Sequence, residues 1–160
     1  GAIVMLQEAV DQVRGHSPRT NAPRFVGGIY FWGQGVPVDY PRAMAAFKIG
    51  AEAGEARCQH QLGMMYCDGQ GVDVDYSQGR TWIEKAAAQD QPNAVGSLGT
   101  MYASGKGATS SWRRAREYYQ RALELGQSEA VKNMQTLTSG ILGVSPLMDK
   151  RVEVHGSSRT

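Results

Sequence analysis

Leu62-Gly63-Met64-Met65-Tyr66-Cys67-Asp68-Gly69-Gln70-Gly71-Val72 is one of three versions of a single phrase in this chain. The others are Val26-Gly27-Gly28-Ile29-Tyr30-Phe31-Trp32-Gly33-Gln34-Gly35-Val36 and Leu98-Gly99-Thr100-Met101-Tyr102-Ala103-Ser104-Gly105-Lys106-Gly107-Ala108. The steps from Val26 to Leu62 and from Leu62 to Leu98 are both 36 residues. A constant period of this size predicts stacked supersecondary units rather than a closed globule.

Each unit reads as a helix, a glycine turn and a second helix. In the first helix Ala22/Cys58/Ala94, Val26/Leu62/Leu98, Ile29/Met65/Met101 and Tyr30/Tyr66/Tyr102 stand at i, i+4, i+7 and i+8. That spacing makes one apolar helical face. Gly27/Gly63/Gly99 recurs inside this helix, although an interior glycine costs roughly 1 kcal/mol relative to alanine. A neighbouring helix packed too close for a Cβ explains the recurrence. Gly33/Gly35, Gly69/Gly71 and Gly105/Gly107 predict turns with positive φ. A phosphate-binding loop needs Gly-Lys-Ser/Thr after a strand, and Lys106-Gly107 has the order reversed.

Asp39, Asp75 and Ser111 are expected to N-cap the second helices, with Pro41 in a first turn that needs no N–H there. Behind them come Ala43/Gly79/Ala115, Ala46/Trp82/Tyr118, Phe47/Ile83/Tyr119, Gly50/Ala86/Ala122 and Ala51/Ala87/Leu123, again at helical spacing. Gly54, Asp90 and Gly126 close these helices. The recurrence of the acidic residues at a helix start marks them as caps rather than catalytic carboxylates.

The string Leu-Gly-x-x-Tyr-x-x-Gly-x-Gly-Val-x-x-Asp, followed by Ala-x-x-Trp/Tyr and Ala-Ala, resembles the Sel-one-like repeat, a relative of the tetratricopeptide repeat. The unit from Leu62 to Ala87 matches nearly every signature position. The first unit has Val26 for Leu and Ala46 for the aromatic; the third has Ala108 for Val and Ser111 for Asp. The resemblance covers roughly residues 20 to 138. It implies an all-α fold, an α/α solenoid of tetratricopeptide-like helical hairpins, acting as an adaptor or scaffold.

The expected organisation is an N-terminal capping helix and loop over 1–20, three units at about 21–55, 56–91 and 92–127, a capping helix over 128–138, and a poorly ordered tail over 139–160. Leu6, Ala9, Val10 and Val13 give the first segment its amphipathic face; Ala130 and Met134 give the closing helix its own. Gly1 in place of an initiator Met leads to the expectation of a fragment or processed product. Ile3-Val4-Met5-Leu6 has no basic segment before it and makes a poor signal peptide.

Bulk properties narrow the function classes. A formal charge of +2 does not demand nucleic acid or an anionic membrane. No apolar run approaches the roughly 18 residues of a membrane span. Cys58 and Cys67 lie roughly 13 Å apart along one predicted helix, too far to pair. Free thiols favour a reducing, cytoplasmic compartment.

In the geometry of this family the first helices line the concave side, so their non-core face supplies the candidate groove. Its residues are Arg24, Phe25, Gly28, Phe31 and Trp32; then His60, Gln61, Met64, Cys67 and Asp68; then Ser97, Thr100 and Ser104. These positions differ between units, as expected where a partner is read. Phe31 and Trp32 stand out as aromatics outside the shared core pattern, and the alternative is that they seal the first unit against the N-terminal helix. The Arg113-Arg114-Ala115-Arg116 run and Arg121 fit a solvated face, with Glu117 four residues from both Arg113 and Arg121. His60, Cys58 and Cys67 do not make a zinc set, and no nucleophile–base constellation can be assembled. The expectation is a non-catalytic scaffold with no cofactor and no metal, binding a peptide, helix or loop of a protein partner. Two alternatives remain: a structural or regulatory module of a larger complex, and a basic face for an acidic partner or nucleic acid.

Overall fold

The computed structural model describes residues 21–142, with the side chains of 141 and 142 left out. The capping helix expected over 1–20 and the tail beyond 142 lie outside the described residues. Within them seven helices succeed one another: α1 Ala22–Trp32, α2 Tyr40–Glu52, α3 Ala56–Asp68, α4 Tyr76–Ala87, α5 Pro92–Ser104, α6 Trp112–Glu124 and α7 Glu129–Leu142. They contain no strand among the described residues, so the fold is all-α. The chain divides into two compact units between Ala94 and Val95.

The same local chemistry builds each hairpin. Gly33, Gly35, Gly69, Gly71, Gly105 and Gly107 all take positive φ, between 67° and 79°. The chain then returns on itself, and the cap residue's N–H donates to the carbonyl of the signature tyrosine. Asp39 bonds Tyr30 at 2.9 Å, Asp75 bonds Tyr66 at 2.8 Å and Ser111 bonds Tyr102 at 2.9 Å. The cap side chains accept from the first turn of the second helix, Asp39 from Arg42 N–H and Asp75 from Gln78 N–H, both at 3.0 Å. Ser111 accepts from Arg114 N–H at 3.4 Å. Gly54, Asp90 and Gly126 also take positive φ, just past the second helices.

In the first unit α1 packs on α2, α2 on α3 and α3 on α4, while α1 also touches α3. Val26, Tyr30, Phe47, Cys58, Leu62 and Met65 belong to one buried cluster. Fully burying each large apolar side chain contributes roughly 1.5–3 kcal/mol. The interior glycines sit where the two helices of a hairpin cross. A Cβ on Gly27 would lie 2.6 Å from Phe47 Cε1, and one on Gly63 would lie 2.6 Å from Ile83 Cγ1. Between hairpins, Gly50 of α2 faces Cys58 Sγ of α3.

A chain of two amides, Gln59 buried and Gln89 exposed, joins turns of the first unit. Gln59, 5% exposed, donates to Ala51 O near the end of α2 at 3.1 Å, a carbonyl that also accepts from Gly54 N–H at 3.0 Å. Gln89 donates to Gln59 Oε1 and to Gly54 O, both at 2.9 Å.

In the second unit α5 meets α6 where Gly99 faces Tyr119, with ring Cδ1 2.6 Å from a Cβ placed on the glycine. Helix α7 packs on α6 and buries Ala130. It runs on to Leu142, past the end expected at 138. The Thr136 and Thr138 hydroxyls donate back to Lys132 O and Met134 O, both at 2.9 Å, which satisfies them within the helix at a slight cost to its stability. Gly140 lies in this last stretch with nothing near its Cβ direction. Gly140→Ala should therefore raise stability by about 0.5–1 kcal/mol, read as a higher thermal midpoint by circular dichroism.

Candidate functional site

Helix α1 places its expected groove residues on two different faces. Phe25 and Trp32 are each 61% exposed, seven residues apart on one side. Gly28 lies between them, and the Trp32 indole folds back over it, Cζ3 2.9 Å from where a Cβ would stand. The half-buried Arg24 sets its guanidinium 4.9 Å above the Phe25 ring. Phe31 turns the other way. Its ring centroid lies 5.1 Å from Trp32, 5.4 Å from Tyr40 and 6.3 Å from Phe47. It joins the core as a partly buried member and supports Trp32 from beneath, so its expected place on an outward face is corrected. Adjacent helical residues point about 100° apart, which separates Phe31 from Trp32.

On α3, Gln61 and Met64 are half-buried and Asp68 is exposed, continuing the outward stripe. Cys67 does not join it. Its Sγ faces Gly79 of α4, in the hairpin contact. Burial pushes the Cys67 thiol up to about 11, helped by Asp68 and Asp75. Burial also raises the Cys58 thiol, with Glu55 adding to the effect. Both stay protonated at neutral pH and are poor nucleophiles.

His60 is half-buried rather than exposed. Desolvation lowers its pKa from 6.5 to about 4. A folded value below the unfolded one means that folding favours the neutral ring. Its contribution is present above about pH 6.5 and fades as pH falls towards about 4. His60→Gln should flatten the dependence of the thermal midpoint on pH across that window.

On α5, Ser97 is half-buried. The Thr100 hydroxyl donates to Gly96 O at 3.3 Å and shares a 3.0 Å bond with Tyr119 OH. Ser104 Oγ accepts from Lys106 N–H at 3.3 Å. The basic run on α6 is partly engaged too: Arg114 lies 5.5 Å over the Tyr102 ring and donates to its hydroxyl at 3.3 Å. Among the described residues no three His, Cys, Asp or Glu side chains converge to hold a metal ion. No helix there is long and apolar enough to cross a membrane.

The sequence reading missed Trp112, 52% exposed. Its signal was the column Tyr40/Tyr76/Trp112, which opens the three second helices.

The Sel1 repeat model matches residues 24–55, 56–91 and 94–127, well over half of the chain. The chain belongs to the Sel1 repeat family. Among solved structures, a Sel1 repeat protein from Oxalobacter formigenes is 33% identical with a TM-score of 0.72, over 81% of this chain and 52% of that one. The protective antigen c5321 of uropathogenic Escherichia coli, which displays the SLR fold, is 34% identical with a TM-score of 0.75, over 89% and 30% of the two chains. This chain thus spans about half of the first protein and under a third of the second. The cysteine rich protein B of Helicobacter pylori, at 17% identity and a TM-score of 0.60 over 79% and 89%, shares the fold. No curated protein matches the sequence. Sel1 repeat proteins are generally non-catalytic scaffolds that bind other proteins.

Proposed function

We propose that this Sel1 repeat chain captures a peptide, helix or loop of a protein partner on the outward stripe of its first helices. Within the first unit that stripe comprises Phe25 and Trp32 of α1 with Gln61, Met64 and Asp68 of α3. The observation that carries the reading is the pair of large aromatics, each 61% exposed on one helical face and backed by the Phe31–Phe47 contact. Solvent-facing aromatics on a rigid support are the usual anchors of protein interfaces. The finer organisation proposed is three hairpin units at about 21–55, 56–91 and 92–127.

Peptides selected from a displayed library against the whole chain test this reading. Phe25→Ser and Trp32→Ser should each weaken the selected peptides by about 30-fold, which corresponds to roughly 2 kcal/mol. Both sites are exposed, so the thermal midpoints should hardly move. Unchanged affinity in both variants would place the contact elsewhere. Phe31→Ala is the wrong probe, because its loss opens the core.

A further inference from the structure

The second unit holds an open cleft of about 500 Å³ between α5, α6 from Trp112 to Tyr119, and α7 from Asn133 onward. Its volume is in the range of small-molecule and side-chain pockets, roughly 300–1,000 Å³. The repeat register shows how the cleft arises. Ala103, on its wall, holds the position that Phe31 holds in the first unit. There the Phe31 ring packs against Tyr40 and Phe47. The residues two repeat periods on from Tyr40 and Phe47, Trp112 and Tyr119, both line the cleft. The aromatic walls are thus kept, while the ring that would lie between them is reduced to a methyl group.

We propose that this cleft receives one aromatic side chain, of the phenol class, presented by a partner polypeptide. Trp112, Tyr119, Ala103 and Leu137 supply ring and aliphatic surface, and Thr100, Asn133 and Thr136 supply polar atoms. The Thr100 hydroxyl donates to Gly96 O, so in its bond with Tyr119 the phenol donates to Thr100; both donors are spent and three of the four lone pairs stay open to accept. Capacity remains for a phenolic O–H. Neither 1–20 nor 143–160 contains Phe, Tyr or Trp, so the ring comes from outside these 160 residues. The site shares Thr100 with the proposed stripe but does not rest on that reading.

The test is a titration of the full chain with p-cresol, followed by the Ala103 methyl and Trp112 indole N–H resonances, with cyclohexanol as a non-aromatic arm of similar size. Saturable shifts at both resonances are expected, with a Kd on the order of 1 mM and at least about tenfold weaker cyclohexanol binding. Ala103→Phe restores the missing ring and should abolish the p-cresol response, read at Trp112, while raising the thermal midpoint. If that variant does not fold, Trp112→Ser removes one wall at an exposed position and should weaken p-cresol at least about tenfold, read at Ala103. Absence of saturable shifts, equal affinity for cyclohexanol, or an undiminished response in the folded variant would overturn the proposal.

Discussion

Gly63→Ala is expected to destabilise the chain by about 1–2 kcal/mol, although alanine is the better helix former. A Cβ at this position would lie 2.6 Å from Ile83 Cγ1, 2.8 Å from Gly79 O and 3.2 Å from Ile83 N. Two of these atoms belong to the backbone of α4, so no rotamer change clears the space. Overpacking of this kind costs roughly 1–3 kcal/mol even where side chains can yield. The gain of about 1 kcal/mol from helix propensity offsets only part of it. For a chain of this size the thermal midpoint should fall by about 2–8 °C. Thermal melts of Gly63→Ala beside Gly140→Ala make the comparison sharp, since the same substitution should move the midpoint in opposite directions. A Gly63→Ala midpoint at or above that of the parent would refute the close crossing of α3 and α4.

That crossing was legible in the sequence because it recurs. A single interior glycine has many explanations; Gly27, Gly63 and Gly99 at one period have a shared one, and each faces the Phe47/Ile83/Tyr119 column. The cap residues Asp39, Asp75 and Ser111 were legible for the same reason. Features without strict recurrence were not. Glu55 caps α3 by accepting from Arg57 and Cys58 N–H, whereas the same register position holds Gln91, which accepts from Ala94 N–H at 2.7 Å. The change of residue type hides the shared role. The far end of α7 was missed because its helix outlasts the repeat pattern.

The candidate site was legible only in part. Variation between units was read as a sign of partner recognition; at Phe25/Gln61/Ser97 and Trp32/Asp68/Ser104 the side chains avoid the core, which keeps these columns in the proposed stripe. At Phe31/Cys67/Ala103 the variation has a packing origin. That column faces the packing between helices, and its variation records how completely each unit fills the space. Phe31 fills it, Cys67 reaches Gly79, and Ala103 leaves a cleft. Sequence spacing cannot separate the two kinds of variable column, because Phe31 and Trp32 are neighbours on the apolar boundary of one helix.

Phe47→Ala should have the largest effect of any single change here, a loss of about 3–5 kcal/mol. The ring is 2% exposed, fills the crossing of α1 with α2 at Gly27, and lies beneath the Phe31 ring that supports Trp32. Its removal leaves a void where it had barred a methyl group at Gly27 of α1. The three nearest atoms to a Cβ on Gly27 are all Phe47 ring atoms, at 2.6, 2.7 and 2.9 Å. Gly27→Ala should therefore change sign with background. In the parent it costs about 1–2 kcal/mol by overpacking; in Phe47→Ala it should gain about 1 kcal/mol, from helix propensity and partial refilling of the void. Urea denaturation of the four proteins closes the cycle, with Phe47→Leu as a milder background should Phe47→Ala fail to fold. The matching cycle of Gly63→Ala with Ile83→Ala should not change sign, because Gly79 O still stands 2.8 Å from the new Cβ. Equal effects of Gly27→Ala in both backgrounds would show that the ring does not set the distance between α1 and α2.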